Sequence, residues 1–216
     1  MSTVYDCSQP ETRQAGLAAA AGVVRSGQLV VLPTDTVYGL GCDAFDSAAV
    51  DSLLAAKGRG RDMPVPVLVG SWTTIDGLVM SVPAQARRLI EAFWPGGLSL
   101  VLQHAPSLAW DLGDTRGTVM LRMPLHPVAL ELLREVGPMA VSSANRSGQP
   151  PAATAAEALA QLGDSVPVYL DGGPSGEPVA STIVDLTGAQ PRLLREGAIS
   201  RADVADALEI DADQLI

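Results

Sequence analysis

Short apolar runs alternate with amphipathic stretches along the whole of this 216-residue chain, and that alternation admits few folds. Leu17, Ala21 and Val24 fall on one face of a predicted helix over about Thr12–Ser26, with Gly27 as its stop. The strand Gln28–Leu32 follows. Further helices are predicted from Ser47 to Lys57, Pro83 to Phe93, His126 to Val136 and Thr154 to Leu162, and a short last one is capped by Ser200. Strands are predicted over Val65–Val69, Leu98–Leu102, Thr118–Met123, Met139–Ser142 and Val168–Leu170. Ser181–Leu186 and Arg192–Arg195 read as an antiparallel pair that turns at Thr187-Gly188. Helical and hairpin connections occur together, so the expected fold class is α/β with a mixed, open sheet and flanking helices. No internal repeat or long linker is visible, which predicts a single domain over 1–216 with a core of about 12–200.

Charge narrows the function. Fourteen Lys and Arg against twenty-four Asp and Glu leave a net charge of −10, a poor basis for holding nucleic acid through its phosphates. The cations are concentrated, however. The one lysine, Lys57, sits in Lys57-Gly58-Arg59-Gly60-Arg61, and Arg122, Arg146 and Arg195 stand at strand edges or in Gly/Ser-rich loops. That distribution suggests a focused anion site rather than a broad basic face. Two cysteines and two histidines, none at ligand spacing, suggest neither a disulfide framework nor a structural metal. The N-terminus lacks the basic start and apolar core of a signal peptide, and no apolar run approaches the ~20 residues of a membrane span. A cytoplasmic protein without membrane contact is expected.

Polar residues gather where strands end. The apolar run Leu29–Leu32 stops at Pro33, and Thr34-Asp35-Thr36-Val37-Tyr38-Gly39-Leu40-Gly41 follows as an expected loop. Such junctions bind ligands in α/β proteins, and turn chemistry by Thr and Asp accounts for the segment equally well. Ser142-Ser143-Ala144-Asn145 leads into Arg146-Ser147-Gly148, a candidate phosphate cradle or an ordinary Asx/Ser turn. Ser181-Thr182 opens a strand. Lys57 and Arg59 lie just past a helix end, where the helix dipole also favours cations. Arg122, between Leu121 and Met123, must be paired or must meet an anion. No G-x-x-x-x-G-K-[ST] loop, dinucleotide fingerprint, G-x-S-x-G elbow or H-E-x-x-H pair is present.

Taken in order, PTDTVYGLG, KGR with Pro64 nearby, WPGGLSLVL, VMLRMPLHP, SSANRSG, STIVDL and LLREG resemble the YrdC-like family of threonylcarbamoyl-AMP synthases, from about residue 15 to residue 200. The resemblance implies a twisted open mixed sheet around a large concave cavity, in the short, single-domain form. It also implies a nucleotidyltransfer reaction. The amine of L-threonine is carboxylated by bicarbonate or CO₂, and the carbamate attacks the α-phosphate of ATP, giving threonylcarbamoyl-AMP and pyrophosphate. Mg²⁺ arrives with ATP, and partner proteins carry the activated group to adenosine 37 of tRNAs reading codons that begin with A. Contact with tRNA itself would be indirect or weak.

Carried onto this sequence, the resemblance implies a catalytic role for Lys57, Arg59, Ser143 and Asn145. It implies threonine contacts from Thr36, Arg122 and Ser181 with Thr34 close by, Arg122 gripping the carboxylate. Arg59, Met63, Thr118, Ser143, Pro151 and Arg195 would meet the nucleotide, and Tyr38 would pack against the pocket wall. The chain departs from the family pattern in one loop. Gly60 stands where the family has a proline, Arg61 adds a charge, and Pro64-Val65 replaces Pro-Leu. Met63 replaces a polar nucleotide contact of some relatives, and Val67-Leu68-Val69 lies where some place a histidine. The rival readings are an RNA-binding YrdC-like module without synthase activity, which would need a broad basic groove, and a carbamoyl-adenylate former fed by carbamoyl phosphate.

Overall fold

Side-chain alternation along the strands sorts the core onto two faces of one sheet. The structure is a computed structural model that describes residues 1–176 and 179–216. Its elements run β1 (Thr3–Asp6), α1 (Pro10–Arg25), β2 (Val30–Leu32), β3 (Gly39–Asp43), α2 (Ser47–Lys57), β4 (Val67–Leu68), α3 (Ala84–Phe93) and β5 (Leu98–Gln103). They continue as β6 (Thr118–Arg122), α4 (Pro127–Val136), β7 (Met139–Ser143), α5 (Ala155–Leu162), β8 (Val168–Asp171), β9 (Thr182–Asp185), β10 (Arg192–Arg195) and α6 (Arg201–Leu208). The strands join in the order β1-β8-β2-β3-β7-β4-β6-β5-β9-β10. Parallel pairs (β1/β8, β2/β8, β4/β6, β5/β9) mix with antiparallel ones (β2/β3, β3/β7, β4/β7, β5/β6, β9/β10), which is the expected mixed sheet.

Leu40, Val67, Leu98, Leu100, Leu121, Ala140 and Val184 point to one face, under the apolar stripes of α2, α3, α5 and α6. Val30, Leu32, Leu68, Met139, Val141 and Leu170 point to the other, where Ala20, Ala21 and Val24 of α1 and Leu132 and Leu133 of α4 cover them. On that second face β5, β6 and β9 present Ser99, Met120, Arg122 and Ile183 between buried neighbours, since successive residues of a strand alternate. The sheet is therefore apolar on both faces at one end and polar on one face at the other.

The helix ends follow the sequence signals closely. Asp46 caps α2 by accepting from Ala48 N and Ala49 N, and Gly58 ends it in the left-handed region at φ 63°. Thr154 and Ser200 cap α5 and α6.

Three strands differ from the sequence expectation. Gly39–Asp43 is not loop but β3, paired to β2 and β7. Glycines are poor strand formers, yet here they fit: a Cβ on Gly39 would stand 2.6 Å from Val141 Cγ1, and one on Gly41 2.9 Å from Met139 Cε. The edge strand β1 has no flanking pattern of its own and is held by register with Val168–Asp171. The predicted Val65–Val69 strand shortens to Val67–Leu68. Among the described residues no helix is long and apolar enough to cross a membrane.

Candidate functional site

The polar end of the second face forms the floor of a cavity of about 470 Å³, within the roughly 300–1,000 Å³ of ligand pockets. β3 contributes Gly39, whose missing side chain keeps the floor open, β7 contributes Val141, Ser142 and Ser143, and β6 contributes Met120 and Arg122. Thr34 and Thr36 stand at one wall, Arg59, Met63 and Pro64 at another, and Ser181 and Arg195 close the far side. Pro151 is at the rim.

Arg122 is buried and held from three directions. Its Nε donates to Gly96 O (2.9 Å), its Nη1 to Thr36 Oγ1 (2.9 Å) and its Nη2 to Asp35 Oδ1 (2.6 Å). Asp35 Oδ1 also accepts from Leu125 N (2.8 Å), so the pair is anchored to the chain just past β6. Thr34 Oγ1 lies 3.1 Å from Thr36 Oγ1 and donates to Val37 O (2.6 Å), which fixes the turn that presents both threonines. Burial pushes the Arg122 pKa below the ordinary arginine value, Asp35 pushes it back up, and nearby Arg195 adds to the fall.

Lys57 comes up beneath the loop that follows β7. Its Nζ donates to Ser143 O, to Asn145 O (2.8 Å) and to Asn145 Oδ1 (3.2 Å). The Asn145 amide donates onward to Arg146 O (2.9 Å) and Gln149 O (2.8 Å). One ammonium thus shapes the segment that carries Ser143. Burial, with Arg59 adding to it, lowers the Lys57 pKa to about 8. Arg59 reaches into the cavity, its Nη1 donating to Ser142 Oγ (3.1 Å) and its Nη2 to Pro64 O (3.3 Å). Its Nε is buried with no partner among the described residues. The departing loop is tied elsewhere: Arg61 pairs with both Asp51 and Asp111, and its carbonyl accepts from Asp114 N (2.9 Å).

At the far side Arg195 Nε donates to Ser181 O (2.9 Å) and its Nη2 to Ser181 Oγ (3.1 Å), while Ser99 Oγ lies 2.9 Å from Ser181 Oγ. Gly197 lets this corner close, because a Cβ there would lie 2.1 Å from Ala180 O and 2.8 Å from Ser181 C. Backbone atoms cannot swing aside as a side-chain tip can. Gly197→Ala is expected to cost about 1–3 kcal/mol, a fall of roughly 2–12 °C in Tm by calorimetry, with Arg195 displaced.

The structure brings together Thr34, Thr36, Arg59, Met63, Arg122, Ser143, Pro151, Ser181 and Arg195 around one cavity. Three residues stand apart from its lining. Lys57 and Asn145 lie under the Ser143 loop, bonded to its backbone and to each other, and Thr118 donates to Thr115 O (2.8 Å) at the start of β6. Tyr38 packs at the wall with its hydroxyl donating to Gly173 O (2.6 Å) and accepting from Gly172 N (3.1 Å). Sequence reasoning passed over Asp35 and Ser99. The first was visible only as a turn residue, and the serine needed the strand register to reveal which face it shares with Arg122. Among the described residues no group of three or more His, Cys, Asp and Glu is placed to hold a metal ion.

The Sua5_yciO_yrdC family model, described as telomere recombination, matches residues 22–197. This chain belongs to that family. Within it, a Mycobacterium tuberculosis protein is 66% identical over 215 residues, spanning 100% of this chain and 99% of that protein. The threonylcarbamoyl-AMP synthase of Bacillus subtilis is 39% identical over 196 residues, 89% of this chain and 56% of that one. Pyrococcus abyssi Sua5 complexed with L-threonine superposes with a TM-score of 0.89 at 34% identity. The match covers 96% of this family member and 60% of the Sua5 chain.

Proposed function

We propose that this Sua5/YciO/YrdC-family chain, acting as a single unit, is a threonylcarbamoyl-AMP synthase. One observation carries the reading: a single cavity joins a buried, carboxylate-braced arginine to two arginines that form no ion pair among the described residues. Of the five N–H donors of Arg122, three are taken, which leaves one on each terminal nitrogen for the carboxylate of L-threonine. Arg59 and Arg195 face the triphosphate, and Ser143 lines the same cavity. The named activity of the B. subtilis relative and the threonine-bound P. abyssi neighbour support this assignment.

The chemistry asks for position more than for acid–base groups. The threonine amine and bicarbonate give the carbamate and water. A carbamate oxygen then bonds to the α-phosphorus as the bond to the bridging oxygen breaks, and pyrophosphate leaves with that electron pair. Holding three reactants together supplies a large share of the barrier, up to roughly 7–11 kcal/mol for well-oriented groups. Arg59 and Arg195 take up the charge that develops on the departing phosphates. Mg²⁺ enters with ATP as part of that substrate, spreading charge over its phosphate oxygens. The product passes to partner proteins that modify tRNA, and a net charge of −10 fits a chain that meets tRNA indirectly or weakly, in the cytoplasm. Lys57 and Asn145 serve by shaping the Ser143 loop.

Pyrophosphate release from ATP, with threonine and bicarbonate present or omitted in turn, tests the reading. Release that requires both supports it, and release on carbamoyl phosphate without threonine refutes it. The Lys57 clamp adds a pH signature. Its ammonium is complete below pH about 8 and is lost as pH rises through that value. kcat/KM for ATP is therefore expected to fall on the alkaline side with a midpoint near 8. In a Lys57→Arg variant the midpoint should move out of range, because arginine keeps its proton.

A further inference from the structure

The three cavity arginines differ in their pairing. Arg122 has a carboxylate against it at 2.6 Å, the two side chains being 8% and 16% exposed, whereas Arg59 and Arg195 form no ion pair among the described residues. Asp35 itself is not part of the cavity lining. It sits behind the guanidinium, tied by Leu125 N, and takes one Nη2 hydrogen away from the ligand side. Two consequences follow from charge and geometry. The fork of Arg122 is fixed in rotation by three acceptors on two segments, Gly96 on one and the neighbours Asp35 and Thr36 on the other. Its net charge is also cancelled locally, while Arg59 and Arg195 keep theirs.

We propose that Asp35 is a positioning and selectivity residue that reserves the Arg122 end of the cavity for the carboxylate of an amino acid and keeps phosphate groups out of it. A carboxylate needs two aligned N–H groups and carries one charge, so a braced, charge-neutral pair still binds it through hydrogen bonds. A polyphosphate gains mainly from net positive charge and is drawn to Arg59 and Arg195 instead. Without Asp35 all three arginines would compete for the same triphosphate, and the nucleotide could seat in the amino-acid site. This inference rests on the synthase reading.

Direct binding to the full chain separates the two. L-Threonine and inorganic pyrophosphate are titrated calorimetrically into wild type, Asp35→Asn and Asp35→Glu, with thermal melts to confirm folding. Wild type should bind both without mutual exclusion. Asp35→Asn keeps an accepting oxygen on Nη2 but removes its charge, so the brace weakens and threonine should bind roughly tenfold more weakly. The same variant should bind pyrophosphate several-fold more tightly, and threonine should now compete with it. Asp35→Glu keeps the charge on a longer arm, so threonine should weaken while pyrophosphate stays as in wild type. That variant also carries the test if Asp35→Asn does not fold. A merely structural role would lower the melt without tightening pyrophosphate. Unchanged threonine and pyrophosphate binding in folded Asp35→Asn, or tighter pyrophosphate binding in Asp35→Glu, would overturn the proposal alone. A wild type that binds pyrophosphate and never threonine would overturn the synthase reading and the proposal with it.

Discussion

Arg122→Ala is expected to lose about a thousandfold in kcat/KM for threonine, ~4 kcal/mol at 1.36 kcal/mol per decade. The loss has two sources. The carboxylate of the substrate forfeits both N–H donors, and Asp35 is left half-buried with only Leu125 N to answer it. The second effect reaches stability, because removing one partner of a buried pair costs about 3–5 kcal/mol. Lysine cannot replace it. A guanidinium addresses Gly96 O, Thr36 Oγ1 and Asp35 Oδ1 in one plane and still keeps two donors, whereas an ammonium has three donors in all. Arg122→Lys should therefore fold better than Arg122→Ala and remain nearly as inactive. Threonine-dependent pyrophosphate release by the two variants, read beside their melting curves, checks this. Near wild-type turnover by either would remove Arg122 from the carboxylate site.

Lys57→Met is expected to act through the loop rather than the chemistry. Methionine matches the length of the lysine stem and supplies no donor, so Ser143 O, Asn145 O and Asn145 Oδ1 lose their shared cation in a buried setting. Unmet polar groups of this kind cost about 3 kcal/mol together, roughly 6–12 °C in Tm for a chain of this size. ATP affinity should fall with it, since Ser143 is carried on that loop, while threonine affinity changes little because Arg122 is braced independently. Calorimetric Tm and the two KM values give the split. An unchanged Tm would show that the loop holds its shape without Lys57.

Much of this was legible in the chain. The helix ends Gly58, Thr154 and Ser200 were readable because capping chemistry is local and uses few residue types. Arg122 stood out because an arginine inside an apolar strand demands a partner. The identity of that partner was not legible. Asp35 reads as a turn residue, and only the packing of the loop after β2 against the end of β6 brings the two together. β3 was missed for a similar reason. Its glycines count against a strand locally, yet they are what Val141 and Met139 require opposite them. Lys57 shows the reverse case: its motif was visible, and its position beneath the Ser143 loop rather than in the cavity became clear only from the three oxygens around it.

On this reading the cavity joins threonine, a one-carbon acid and an adenylate. Labelled bicarbonate tests it most directly: the protein is incubated with ATP, Mg²⁺, L-threonine and carbon-labelled bicarbonate, and the products are separated at once by chromatography. The expected result is label in a new adenine-absorbing species of the mass of threonylcarbamoyl-AMP, formed in step with pyrophosphate and absent when threonine is left out. Pyrophosphate released with no label in an adenylate, or a labelled adenylate that forms without threonine, would contradict the account.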